Sequence, residues 1–77
     1  MAAVRETCLV VTFASTHDAM AAERSLLEQG VAGRIIPTPV AISSECGLAW
    51  RSPIAAREAL LAALAALAHD AVVEMEL

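Results

Sequence analysis

Lysine and tyrosine are absent from this chain of 77 residues, and Phe and Trp occur once each. A platform that stacks single-stranded bases needs several aromatic rings, and a phosphate-tracking surface needs clustered cations. The five basic residues are all arginines scattered along the sequence, and the formal net charge is −4. Nucleic acid is therefore not an expected partner. The most apolar segment, residues 59–68, is about half the ~20 residues a membrane-spanning helix requires, so it reads as a buried helix face. No membrane partner is expected. Residues 1–6 contain no long apolar stretch ahead of their charges, so a cytoplasmic, reducing location is expected. Cysteine and histidine occur twice each, without the close C-x2-C or H-x3-H spacing of a structural metal site. There is no carboxylate pair, Gly-rich phosphate loop or nucleophile–base–acid set. No cofactor or metal is expected, and an enzyme is less expected than a binding protein.

Hydrophobic residues make up 58% of the chain, and many of them are alanine, which buries little area each. A single domain of this size, residues 1–77 with its core in about 7–77, buries only about 60–65% of its unfolded surface. A large enclosed cofactor does not fit beside such a thin core. Function belongs to a surface, a shallow cleft or one reactive group.

The patterning alternates between periods. Residues 7–13 are β-branched and apolar, which suits a central strand with Leu9, Val11 and Phe13 on one face and Cys8, Val10 and Thr12 on the other. Ser15 reads as the N-cap of a helix, with Asp18 at its third position and Gly30 closing it in a left-handed conformation. A short strand over 33–36 is halted by Pro37 and Pro39. A loop over 38–45 follows, with one turn in 40–44, and a third strand covers 47–51. Ser52-Pro53 reads as a second helix start, with proline at the first helical position. Ile54, Arg57, Leu60, Leu61, Leu64 and Leu67 would make its inner face, running to about Ala68. Residues 71–77 alternate as an outer strand, Val73, Met75 and Leu77 inward, Glu74 and Glu76 outward. The order βαββαβ in one short chain predicts an α+β, ferredoxin-like fold: a four-stranded antiparallel sheet in the order 4-1-3-2 with two helices on one face.

That topology carries a chemical consequence. The third strand runs against the first, so Cys46 and Gly47 at its start should meet Ser15, Thr16 and His17 where the first helix begins. Unpaired N–H groups and the helix dipole favour an anion there, a thiolate included. His17 can add a hydrogen bond or a charge, whereas Glu45 and Asp18 oppose it, which leaves the net sign open. Polar neighbours, Ser44 among them, and the following glycine point to access for Cys46. The competing reading is a cysteine packed under the Pro37–Pro39 turn. Cys8, roughly 17 Å away at the other strand end, is beyond disulfide reach and reads as a small buried hydrophobe.

The segments "TFASTHDA", "IIPTP" and "SSECGLA" resemble a family of small bacterial proteins described as putative selenium/sulfur carrier-like, over about residues 8–75. The resemblance implies that Cys46 is the family's cysteine, proposed to hold sulfur or selenium as a persulfide or selenopersulfide. It also implies donor and acceptor proteins as partners. Gly47, Ser15, Thr16, His17, Ser44 and Arg51 are the residues expected, from topology and sequence position, to support the thiol. Arg34 and Arg51 are either solvated edge charges or a means of steering an anionic donor. Trp50, if it faces away from the helices with Val10 and Val72, marks a patch for a homodimer. The rival to a carrier is a non-catalytic interaction or regulatory module that dimerises through this open sheet face.

Overall fold

β-Branched residues prefer the pleated surface of a sheet, and the run Thr7–Thr12 forms β1 at its centre. In the computed structural model, which describes residues 5–42 and 46–77, six further elements follow. They are α1 (Thr16–Glu28), β2 (Arg34–Pro37), β3 (Leu48–Pro53), a 3-10 turn (Ile54–Ala56), α2 (Arg57–Leu64) and β4 (Ala71–Glu76). The four strands form one sheet in the order β2-β3-β1-β4, with every neighbouring pair antiparallel. Read from its other edge this is the expected 4-1-3-2, and the fold is ferredoxin-like α+β.

The pleat divides the sheet into two apolar surfaces. Leu9, Val11 and Phe13 join Ala19, Ala22 and Leu26 of α1 and Leu60, Ala63 and Leu64 of α2 in the main core, so both helices cover one face. Cys8, Val10 and Ala49 form a second, smaller cluster on the other face, flanked by Ile36, Ile42, Met75 and Leu77. The chain turns at Pro39, whose carbonyl accepts from the Ile42 N–H at 2.9 Å, and Ile42 packs on that second cluster. The expected 40–44 turn thus begins one residue earlier, and its later part lies outside the described residues.

The first helix is bounded as its sequence dictates. The Ser15 hydroxyl accepts from the Asp18 N–H at 3.2 Å, satisfying one of the orphan donors of the first turn. At the other end Gly30 has φ +73°. Its N–H reaches the Leu27 carbonyl at 3.1 Å, and the Val31 N–H reaches Leu26 at 3.0 Å. This is a Schellman closure, in which a residue without Cβ takes the left-handed position and Val31 packs back beside Leu26.

The second helix differs from expectation. Ser52 and Pro53 finish β3 rather than start α2. Pro53 is extended at φ −66°, ψ 155°, and the regular helix starts at Arg57 and stops at Leu64, not Ala68. The cause is the Ser52 hydroxyl. It accepts from the Trp50 Nε1–H at 2.7 Å and donates to the Ala32 carbonyl at 2.7 Å, so it is not available to cap a helix. Two inner-face assignments also change. Leu61 is exposed at 45%, and Arg57 points outward to pair with Glu74 at 3.3 Å.

The outer strand is turned over as well. Val10 faces Val73 and Cys8 faces Met75 across the β1–β4 ladder, and directly opposite residues share a face. Val73, Met75 and Leu77 therefore lie on the open side with the second cluster, while Val72 packs on the main core. Period-2 alternation shows which residues go together but not which face is inner. Trp50 opposes Val11 and is wholly buried in the main core. The expected Trp50–Val10–Val72 patch does not exist.

Gly33 holds this arrangement at its tightest point. Its φ is +154°, and a Cβ there would lie 2.7 Å from the Trp50 ring and collide with the Arg51 carbonyl. Gly33→Ala should cost about 2 kcal/mol or more in urea unfolding, from strain and overpacking together. Ser52→Ala should cost about 1–3 kcal/mol by orphaning the indole N–H. Gly47→Ala, with nothing within 4 Å of the added carbon, should stay within about 0.5 kcal/mol of the parent.

Candidate functional site

The end of β1 and the start of β3 converge because Thr12 pairs with Ala49. One residue beyond β1 lies Phe13, and three beyond it Ser15 caps α1. Just ahead of β3 lies Cys46. The antiparallel pairing thus carries the thiol to the N-terminal end of α1, where the Thr16 hydroxyl sits 4.0 Å from Sγ. The Leu48 N–H donates to the same sulfur at 3.4 Å. Sulfur is a weak, diffuse acceptor, and its contacts are long by oxygen standards.

The backbone leading from the thiol into β3 is clamped by a single residue. Thr38 donates its hydroxyl to the Cys46 carbonyl at 2.9 Å, and its N–H donates to the Gly47 carbonyl, also at 2.9 Å. The two ends of the intervening loop are tied at its neck. Thr38 carries no signal of its own in the sequence except its place between two prolines, which leaves its side chain and N–H at the loop mouth.

Cys46 itself is buried. Its relative exposure is 4%, and it belongs to the main core together with Phe13, Ala19 and Trp50. The access expected from its polar sequence neighbours is not present in this conformation. The reason is the pleat: Cys46, two residues before β3, shares the parity of Leu48 and Trp50 and turns toward the helices, where α1 begins. Neither cysteine is in a disulfide. Cys8 is 2% exposed and donates to the Met75 carbonyl at 3.4 Å from the opposite side of the sheet.

The remaining expected site residues separate into groups. Thr16 touches the sulfur, and Gly47 follows it. Ser15 works as the helix cap, its hydroxyl directed to Asp18. His17 is exposed in the first turn, and no bond joins it to the thiol. Ser44 lies outside the described residues. Arg51 is placed elsewhere. It pairs with Val10 and with Arg34, on the open face and roughly 16 Å along β3 from Cys46 at about 3.3 Å per residue. His69 sits beyond α2, its Nδ1 2.8 Å from the Leu67 carbonyl. Among the described residues no group of three or more His, Cys, Asp and Glu is arranged to hold a metal ion, and no helix is long and apolar enough to cross a membrane.

Residues 8–69 match the family described as "Putative Se/S carrier protein-like". No curated protein and no solved structure gives a significant match.

Thr38→Val removes one hydrogen bond at the neck of the loop. It should lower stability by about 1 kcal/mol and speed alkylation of Cys46 by iodoacetamide under native conditions, measured in a Cys8→Ala background so that a single thiol reports.

Proposed function

The chain belongs to the Se/S carrier-like family, and from that membership we propose that Cys46 carries sulfur or selenium as a persulfide or selenopersulfide. The observation that supports this is the position of Sγ, 3.4 Å from a backbone N–H and 4.0 Å from a hydroxyl at the start of a helix. Donors so placed stabilise the negative charge that the sulfur bears each time it attacks or leaves.

The transfer is a thiol exchange and needs no outside oxidant. The Cys46 thiolate attacks the terminal sulfur of a donor persulfide, R–S–SH. A Cys46 Sγ–S bond forms, the donor S–S bond breaks, and the donor departs as the thiolate R–S⁻ with the electron pair. An acceptor thiolate then attacks the outer sulfur of Cys46–S–SH and returns Cys46 to its thiolate. Selenium follows the same sequence through R–S–SeH. Donor and acceptor are proteins that dock at the β1–α1 and β3 junction, and at 4% exposure the thiol reaches them only when that junction opens.

That same burial favours a second reading, in which Cys46 is a packed core residue and the domain is a non-catalytic interaction module. The two readings divide on how the thiol becomes reachable. A carrier opens locally, so Cys46 of the Cys8→Ala protein reacts faster than the molecule unfolds globally. A packed cysteine reacts only through global unfolding, at a rate that follows the unfolding free energy.

Incubation of the Cys8→Ala protein with a low-molecular-weight persulfide, followed by intact-mass spectrometry, should add the mass of one sulfur atom, lost again on adding a thiol acceptor. Cys46→Ser in the same background should take up none. Absence of the adduct under native conditions, with alkylation limited by global unfolding, would decide for the interaction module.

A further inference from the structure

On the face of the sheet away from the helices, two positive charges are set side by side. Arg34 and Arg51 are direct partners across the β2–β3 ladder, which places their side chains on the same surface. Cβ atoms of such partners lie about 5 Å apart, and like charges there repel. The arrangement draws two of the five cations in a chain of net charge −4 into a single position. Among the described residues, ion pairs join Arg24 to Glu28 and Arg57 to Glu74. No carboxylate among the described residues lies within ion-pair distance of Arg34 or Arg51.

Both arginines line a cleft of about 320 Å³, with Glu6, Thr7 and Gly33 among its other walls. Its volume is at the lower end of the ~300–1,000 Å³ typical of small-molecule sites. Gly33 adjoins β3 so closely that an added Cβ would collide with the Arg51 carbonyl and the Trp50 ring. Glu6 is held by a reciprocal pair of backbone hydrogen bonds with Leu77 at 2.9 and 3.0 Å. The Cys8 thiol at the base of the cleft is directed to the Met75 carbonyl, so the guanidinium groups set the chemistry.

We propose that this cleft binds a phosphoryl oxyanion, as inorganic phosphate or a small phosphomonoester. One planar guanidinium engages two oxygens bidentately, and two adjacent guanidiniums suit an anion with more oxygens and more charge than a carboxylate has. A phosphoryl group presents three or more oxygens and satisfies both. It also supplies the negative charge that offsets the repulsion between the arginines. Glu6 on the wall accepts from a protonated phosphate oxygen or a ligand hydroxyl, and it disfavours a bulky polyanion. The site lies on the opposite face from Cys46 and toward the other end of β3, so it stands or falls independently of chalcogen transfer.

Titration of ¹⁵N-labelled protein with sodium phosphate, against sodium chloride at matched ionic strength, tests this assignment. Saturable amide shifts centred on Thr7, Gly33, Arg34 and Arg51 are expected, with acetate binding far more weakly. Arg34→Gln and Arg51→Gln should each weaken phosphate roughly tenfold or more, the effect of losing a charged hydrogen-bonding partner, and Arg24→Gln should leave it unchanged. If a glutamine variant fails to fold, Arg34→Lys keeps the charge but loses the fork and should still bind more weakly. A parallel titration with glycerol 3-phosphate distinguishes the source. Tighter binding than inorganic phosphate marks a phosphorylated metabolite, and equal or weaker binding marks the free ion. Shifts that chloride reproduces, that acetate matches, or that survive both arginine substitutions would overturn the proposal.

Discussion

The buried indole of Trp50 is the constraint on which the rest of this domain depends. A ring of that size fills the centre of a thin core, and its N–H demands a partner once water is excluded. Ser52 supplies it and passes the demand on to Ala32. The relay joins β3 to the segment before β2, and Gly33 must lack a side chain so that the two can approach. With the register of β3 fixed, the alternation of its pleat decides everything else on that strand. Ala49 and Arg51 face the open side, and Cys46 turns inward beneath the first turn of α1.

This geometry gives the cysteine two properties that pull against each other. It has a backbone N–H aimed at its sulfur and a hydroxyl near it, groups able to stabilise transient negative charge. It is also enclosed by Phe13, Ala19 and Trp50, as a core residue would be. Carrier chemistry on such a residue depends on a small movement at the β1–α1 junction. The pair of hydrogen bonds from Thr38 to the carbonyls of Cys46 and Gly47 opposes that movement. The reactivity of the thiol is thus set as much by the stability of a loop neck as by its immediate electrostatics.

The element order, the strand order, the cap at Ser15 and the closure at Gly30 were legible in the sequence, because each follows from a local rule with few competitors. The approach of Cys46 to Thr16 followed from topology alone. The facing of β4 was not legible, since Val72 and Val73 are alike and the strand lies at an edge where neither face is fully covered. The start of α2 misled for a different reason. Ser-Pro is a strong helix-start signal locally, but a serine hydroxyl already engaged by a remote indole has nothing left for capping. The burial of Cys46 had no local signal either, because its sequence neighbours are polar and its spatial neighbours come from β1 and α1.

The pairing of β1 with β4 has one further consequence. The contact between Cys8 and Met75 spans 67 residues, and the last strand, at the edge of the sheet, pairs along the whole length of β1. Such long-range closure slows folding. On the ribosome, the central strand must wait with one flank bare until nearly the whole described chain has emerged. During that interval one flank of the strand presents unpaired amides, an edge open to pairing with another chain.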